Sequence, residues 1–176
     1  EIFIGIDDKY AGSIVIDDTI KDDAKSTTAK LKNLGLTTAM LTGDNEHSAY
    51  AVANEVGIDK VHAKLLPEDK LKKLSSLRQE HGNVFFVGDG INDAPILAGA
   101  DVGAAMGSGA DAAIEAADVV FMNSKVHSIF QAINISRDTI RIAWQNVVFA
   151  LGIKILIMVL GLMCFASMWA AVFADT

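Results

Sequence analysis

The stretch VFFVGDGINDAP, residues 84–95, decides the fold of this chain of 176 residues. VFFV, residues 84–87, is a short, wholly apolar run of the kind found in the central strands of parallel sheets. It leads directly into a loop that holds two glycines and three polar side chains at fixed offsets: Asp89, Asn92 and Asp93. A simple turn needs the glycines but not the further polar residues. We therefore expect a buried strand that ends at a ligand-binding loop.

Strands and helices alternate around this stretch. TTAMLTGD, residues 37–44, predicts a second buried strand that also ends in a loop, and two more short strands are predicted at DVGAAM and ADVVFM, on either side of the alanine-rich GSGADAAIEAA. Predicted helices span residues 22–34, 46–56 and 67–80, and a glycine follows the end of each one: Gly35, Gly57 and Gly82. This alternation predicts βαβ units and an α/β fold with a doubly wound parallel sheet.

The two ends of the chain differ from this pattern. EIFIGI and GSIVID, which flank DDKYA, predict an antiparallel hairpin with Gly12 at the turn. An amphipathic helix is predicted from Ser128 to Trp144, and it runs directly into the segment 147–173, whose only charged side chain is Lys154. An apolar segment of this length can cross a bilayer. Arg137 and Arg141 precede it, which predicts a cytoplasmic location for the globular part.

Composition excludes several classes of protein. The net charge of -7 leaves no basic patch to neutralise phosphates, so we expect no nucleic-acid partner. A single cysteine, Cys164, can form neither an intrachain disulfide nor a Cys-x-x-Cys metal site. No signal peptide is visible at the start of the sequence. Because the chain starts on a strand and stops in an apolar run, we expect a fragment of a longer protein.

The predicted chemistry lies in the loops after the two buried strands. Thr42, Gly43 and Asp44 follow one strand and the GDGIND residues follow the other, so both groups belong at the carboxyl edge of the sheet, where ligands bind. Gly43, Gly88 and Gly90 allow backbone amides to approach an anion. Paired carboxylates would repel a phosphate unless Mg²⁺ lay between them, and Lys70 can supply a positive charge to the same phosphoryl group.

These signals differ in specificity. TGD alone is more often a turn, and a lone Lys70 is more often a solvated helix residue, whereas GDGINDAP is specific. The three together favour a phosphoryl-transfer site with Asp89 and Asp93 at Mg²⁺. The other acidic residues considered are interpreted as turns, caps and solvated faces: Asp17, Asp18, Asp22, Asp23 and Asp59.

TGD, then PEDK, then GDGINDAP resembles the haloacid dehalogenase superfamily, and this order followed by a membrane helix resembles the P-type ATPases. The resemblance implies that Thr42 and Gly43 contact the phosphoryl group, that Asp44 positions the site and that Lys70 stabilises the transferring charge. It further implies that Asp89 binds Mg²⁺ while Asn92 and Asp93 order the loop. The implied domains are the end of a nucleotide-binding domain (1–17), the C-terminal part of a phosphorylation domain (18–125), a stalk helix (126–146) and a transmembrane segment with the start of a second (147–176).

The sequence departs from the family at the phosphorylated aspartate, which lies in an Asp-Lys-Thr-Gly-Thr motif. The Asp-Lys pairs of this chain begin at Asp8, Asp59 and Asp69, and none continues as that motif. We therefore expect the nucleophile, most of the ATP pocket and most of the membrane domain to lie upstream. As a consequence, this chain alone is expected to lack ATPase activity.

ALGIK, residues 150–154, and ADT, residues 174–176, are similar to the zinc, cadmium and lead exporters among the P-type ATPases. In that resemblance Asp175 is a ligand of the transported metal and Lys154 is its counterion. If the apolar span begins nearer Ile153, Lys154 lies at the interface and snorkels. Copper is the alternative cargo. Two other functions stay open, a membrane-tethered phosphatase of the same superfamily and a non-catalytic module that binds Mg²⁺ or phosphate and regulates a partner.

Overall fold

A computed structural model describes residues 2–7, 9–14, 19–107, 109–123 and 125–162. The chain divides into two compact units, Glu1–Phe130 and Gln131–Thr176. Asp175, Cys164 and the predicted second membrane helix lie outside the described residues.

Among its described residues the first unit contains seven strands: β1 Ile2–Ile6, β2 Lys9–Ile14, β3 Ala39–Leu41, β4 Lys60–His62, β5 Phe85–Gly88, β6 Val102–Met106 and β7 Val119–Phe121. Its helices are α1 Ala24–Asn33, α2 Glu46–Val56, α3 Pro67–His81, α4 Ala94–Gly99 and α5 Asp111–Ala116, and a 3-10 turn at Ile91–Asp93 precedes α4. These assignments confirm the α/β fold. Gly57 and Gly82 end α2 and α3 with positive φ angles of 84° and 86°, and Gly35 follows α1 with a φ of 79°.

The parallel strands form two separate ladders among the described residues. β3 pairs with β4, and β5 pairs with β6, which pairs with β7. The parallel pairing was predicted, but β4 was not, because three residues of mixed polarity give no periodic signal. The core of this unit lies under the second ladder, where Leu97 of α4, Ala105 of β6 and Ala113 of α5 are fully buried against one another.

The terminal hairpin corrects the predicted turn. β2 begins at Lys9, which pairs with Ile6, and the turn contains Asp7 with a φ of 49°. Gly12 lies within β2 opposite Ile4, next to a register shift in the ladder, and not at the turn. β2 therefore begins three residues before the predicted strand start and pairs with β1 from its first residue.

The chain continues into one long helix, α6, from His127 to Leu162. Its 36 residues correspond to a length of about 54 Å. The backbone amide of His127 at its start donates to the Asp23 carboxylate over 2.8 Å, so Asp23, which was interpreted as a cap or turn residue, also holds this helix start. By length and composition, α6 can cross a membrane, and its apolar part is not buried within the described protein. The predicted amphipathic helix and the apolar run are thus continuous, and Lys154 lies on α6 with an exposed side chain.

Candidate phosphoryl-transfer site

The loop after β3 is closed by its own side chains. The Thr42 hydroxyl donates to the Asp44 carboxylate over 2.7 Å, and the Asp44 amide donates to the Thr42 hydroxyl oxygen over 3.1 Å. Gly43 and Asp44 are exposed and Thr42 is half-buried. Because the Thr42 and Asp44 amides are engaged, the exposed Gly43 is the residue through which this loop can offer an amide to an anion.

Backbone bonds connect this loop to the segment that leads into α3. The Leu65 amide donates to the Thr42 carbonyl over 3.0 Å, and the Lys64 amide donates to the Asp44 carbonyl over 2.8 Å. Lys64 adopts a left-handed conformation with a φ of 56°, which turns the chain toward α3. Pro67 is the first residue of α3, so Lys70 is placed in the first turns of a helix whose start is tied to the TGD loop.

Lys70 forms an ion pair with the GDGIND loop. Its ammonium group lies 3.1 Å from one Asp93 carboxylate oxygen, and the two side chains are only 17% and 15% exposed. The other Asp93 oxygen accepts from the Gly90 amide over 3.4 Å. Asp93 thus closes the loop on itself and attaches it to α3. The loop-ordering role implied by the family resemblance fits this geometry, while a role for Asp93 as an Mg²⁺ ligand stays a prediction.

The two glycines of the loop have different neighbours. A side chain at Gly88 would bring its first carbon to 2.8 Å from the Asp93 side chain, so glycine is required there for the loop to fold over Asp93. At Gly90 the same carbon would lie 3.4 Å from the Asp93 carboxylate, an ordinary contact. The sequence predicted that both glycines let an anion approach the backbone. In the structure, the missing side chain at Gly88 also leaves room for the Asp93 side chain.

Asp89 is the carboxylate of this loop that is open to a cation. Its side chain is exposed, and no hydrogen bond or ion pair engages that side chain among the residues the structure describes. Asn92, next in the loop, is exposed as well. Within the described ranges no three His, Cys, Asp or Glu side chains form a metal cluster. The Mg²⁺ site at Asp89 therefore stays a prediction.

Sequence reasoning missed two residues that contact this loop. The Asp89 carbonyl accepts from the Ala110 amide over 2.9 Å, and Gly109 packs against the same carbonyl. The available signal was the GSGAD segment, in which two glycines follow a predicted strand just as in the GDGIND loop.

The carboxylates of Asp59 and Asp101, whose pKa values are lowered, lie away from these loops and stabilise the fold. The Lys32 ammonium group, together with the Thr38 amide and hydroxyl, lowers the pKa of Asp59 to about 2. The Val84 amide and then the Arg78 guanidinium lower the pKa of Asp101, which secures the start of β5. Both are structural positions, in agreement with the interpretation of Asp59 as outside the site.

His62 is a further residue next to the TGD loop that the sequence did not predict. It is the last residue of β4, and its carbonyl accepts from the Thr42 amide over 3.0 Å. Burial lowers the pKa of His62, and the nearby Lys73 and Lys60 lower it further. Its Nε2 atom is buried without a hydrogen-bond partner among the described residues, and burial favours the neutral imidazole.

Comparisons with known proteins agree with this geometry. A family model described as a haloacid dehalogenase-like hydrolase matches residues 1–101. The cadmium, zinc and cobalt-transporting ATPase of Bacillus subtilis (strain 168) is 48% identical over 99% of this chain and 26% of its own length. A copper-exporting P-type ATPase of Staphylococcus haemolyticus (strain JCSC1435) is 44% identical over 97% of this chain and 21% of its own length.

A solved structure is similar over both units. The crystal structure of a zinc-transporting PIB-type ATPase in the E2.Pi state matches 96% of this chain and 28% of that chain, with a TM-score of 0.87 and 41% identity. The chain thus spans about a quarter of the length of the transporters it matches. It belongs to the haloacid dehalogenase-like hydrolase family, and nearly all of it is similar to one part of the heavy-metal-transporting P-type ATPases.

Proposed function

We propose that this chain is part of an ATP-driven exporter of divalent heavy-metal ions that works through an aspartyl-phosphate intermediate. The observation that carries the proposal is the connected set of TGD loop, Lys70 and GDGIND loop, followed in the same chain by a helix long and apolar enough to span a membrane. Similarity to metal-transporting ATPases over nearly the whole chain supports it.

In this proposal the chain supplies the environment of the phosphoryl group and not the nucleophile. The γ-phosphoryl group of ATP passes to an aspartate outside this chain and is later released to water. The Gly43 amide donates to its oxygens, and the Thr42 hydroxyl turns its one proton from the Asp44 carboxylate to a phosphoryl oxygen when phosphate is bound. The Asp44 amide keeps donating to the Thr42 hydroxyl oxygen, so Asp44 positions the site. The Lys70 charge lies where negative charge develops on the phosphoryl oxygens, with Asp93 fixing its direction. Asp89 would hold Mg²⁺, which neutralises phosphate charge when bound, and Asn92 would order the loop beside it.

We place the domain boundaries at the positions the sequence predicts. Residues 1–17 end a nucleotide-binding domain, residues 18–125 belong to the phosphorylation domain, and residues 126–146 form the stalk. The start of α6 at His127 supports the boundary between the phosphorylation domain and the stalk. Residues 147–176 enter the cell membrane, which leaves the globular part in the cytoplasm, with ATP bound mostly by segments that precede this chain.

Zinc and cadmium are the proposed cargo. The carboxylate of Asp175 suits a divalent ion, and the ammonium of Lys154 can balance that carboxylate when the metal has left. Lead fits the same pair, and copper is the competing assignment, since the copper exporter above matches nearly as well as the cadmium and zinc transporter. The pairing of ALGIK with ADT favours the divalent ions.

ATP hydrolysis by the complete polypeptide that contains this chain tests the proposal. Turnover is expected to rise with Zn²⁺ and Cd²⁺, to vanish in Asp89→Asn and to lose its metal stimulation in Asp175→Ala, while Lys154→Ala alters coupling more than folding. Asp69→Asn, on the exposed face of α3, is the matched control and should behave as wild type. Hydrolysis of phosphate esters without metal stimulation would support the phosphatase, no turnover at all would support the regulatory module, and stimulation by copper alone would overturn the choice of cargo.

A further inference from the structure

The two aspartates of the GDGIND loop are held by different parts of their residues. Asp93 is fixed through its side chain, which binds Lys70 and the Gly90 amide. Asp89 is exposed and has no side-chain partner among the described residues, so its backbone sets the position from which its carboxylate reaches a cation. Whatever fixes that backbone therefore fixes the reach of the carboxylate.

Ala110, in the segment between β6 and α5, holds the Asp89 backbone in place. Its amide donates to the Asp89 carbonyl over 2.9 Å, and Ala110 stands at the residue before α5 with φ and ψ of -68° and 145°. The bond joins residues that are 21 positions apart and connects the loop after β5 directly to the segment after β6. No other backbone hydrogen bond to the Asp89 carbonyl occurs in the described part of the chain.

Gly109 makes this approach possible. A side chain there would place its first carbon 2.6 Å from the Asp89 carbonyl oxygen, 2.9 Å from the Met106 carbonyl oxygen and 3.0 Å from the Asp89 α-carbon. Contacts below 3.0 Å to backbone atoms force the backbone to shift, so any residue larger than glycine would push Asp89 away. The Gly109 amide also donates to the Met106 carbonyl over 2.8 Å, which attaches this contact to the end of β6.

We propose that Gly109 and Ala110 are positioning residues for the Mg²⁺-site carboxylate of Asp89. The inference rests on the proposed function, in which Asp89 binds Mg²⁺. Mg²⁺ demands nearly ideal octahedral geometry, and groups that orient a metal ligand without touching the metal commonly change metal affinity tenfold or more. A shift of the Asp89 backbone by a few tenths of an ångström therefore weakens the site while the fold around Leu97 and Ala105 stays intact.

Ala110→Pro is the sharpest test. Proline fixes φ near -65°, close to the -68° of Ala110, so the substitution keeps the backbone direction and removes only the amide donor. Ala110→Ser keeps the donor and is its control. Gly109→Ala is the second variant, and its control is Gly107→Ala, whose added carbon would lie 2.8 Å from the Phe121 carbonyl oxygen without touching Asp89.

The readout is Mn²⁺ binding to the complete pump, followed by electron paramagnetic resonance with Mn²⁺ in place of Mg²⁺ and without ATP turnover. Asp89→Asn defines the part of the signal that belongs to this site. Ala110→Pro and Gly109→Ala are expected to weaken that binding about tenfold. Ala110→Ser should bind as wild type, and Gly107→Ala should lose as much thermal stability as Gly109→Ala but keep its Mn²⁺ affinity.

Each failure has a distinct signature. If Asp89→Asn loses the Mn²⁺ signal while Ala110→Pro and Gly109→Ala bind as wild type, the positioning role is wrong and the proposed function stands. If Asp89→Asn itself keeps the full signal and full turnover, the proposed function is wrong. Should Ala110→Pro not fold, the comparison of Gly109→Ala with Gly107→Ala decides, and equal Mn²⁺ affinities of those two variants would overturn the inference.

Discussion

The loop after β3 and the loop after β5 both leave the carboxyl ends of parallel strands, yet different parts of the chain hold them. The TGD loop is closed by side-chain bonds between Thr42 and Asp44, two residues apart. The GDGIND loop depends on Lys70, 23 positions upstream of Asp93, and on Ala110, 21 positions downstream of Asp89.

Because different parts of the chain hold the two loops, we expect mutations in each loop to have different effects. Damage to the side chains of the TGD loop should stay within that loop, because the bonds of the Thr42 and Asp44 side chains begin and end there, while the backbone bonds to Lys64 and Leu65 remain. Damage to the contacts of the GDGIND loop should spread to α3 and to the segment before α5. We therefore expect changes in the first loop to alter chemistry with little loss of stability, and changes in the second to alter both.

The largest effect is expected for Lys70→Met. The substitution leaves the Asp93 carboxylate, only 15% exposed, without its cation, and an unpaired charge in a poorly solvated place is costly. We expect turnover of the complete pump to fall by about 10² to 10³ and its melting temperature to fall by several degrees. Lys72→Met on the same helix, where the lysine is 76% exposed and pairs with Asp69, should change neither quantity.

The double variant Lys70→Met with Asp93→Asn separates the two roles of the pair. Removing both charges should restore most of the melting temperature but none of the turnover, because the lost positive charge is not replaced. If the double variant regains activity, Lys70 acts only as a structural partner of Asp93.

A smaller effect is expected for Thr42→Val, which keeps the shape of the side chain and removes its hydroxyl. Turnover should fall about tenfold to a hundredfold, because a donor to the phosphoryl group is lost and Asp44 loses its partner, while Thr42→Ser should retain activity. The melting temperature should change by no more than about two degrees, because the loop is exposed.

Thr38→Val provides the matched control at the opposite end of β3. The Thr38 hydroxyl donates to Asp59 over 2.8 Å, far from the TGD loop along the strand. This variant should lower the melting temperature and leave turnover unchanged. Equal losses of activity in Thr38→Val and Thr42→Val would mean that the TGD loop is not a chemical site.

The sequence predicts structure that depends on neighbouring residues better than structure that depends on distant ones. Gly57 and Gly82 end α2 and α3 as expected, since a helix end depends on a few adjacent residues. Both loops were correctly placed after strands, because strand and loop are neighbours in the sequence. The bonds of the GDGIND loop to Lys70 and Ala110 join residues more than 20 positions apart, and sequence spacing carries no record of which residues meet.

Two corrections show where local signals fail. β4 was missed because Lys60–His62 is short and gains its strand conformation from pairing with β3. The hairpin turn was misplaced because Gly12, a residue typical of turns, lies instead opposite Ile4 within the ladder. In both cases pairing with another strand decided the structure, and that pairing outweighed the local preference.

The smallest effect is expected for the protonation of His62, whose backbone carbonyl accepts from the Thr42 amide at the start of the TGD loop. Burial, with Lys73 and Lys60 nearby and Glu80 acting in the opposite direction, lowers the pKa of His62 from its ordinary value of 6.5. A group whose pKa is lowered by folding contributes stability above its unfolded pKa, and that contribution is lost as the pH falls through its folded pKa. The melting temperature should therefore fall by a few degrees at most below pH 6.5, and His62→Phe should remove that part of the decline. His47→Gln on the exposed face of α2 should keep the decline. A decline of the same size in His62→Phe would assign the decline to other titratable groups.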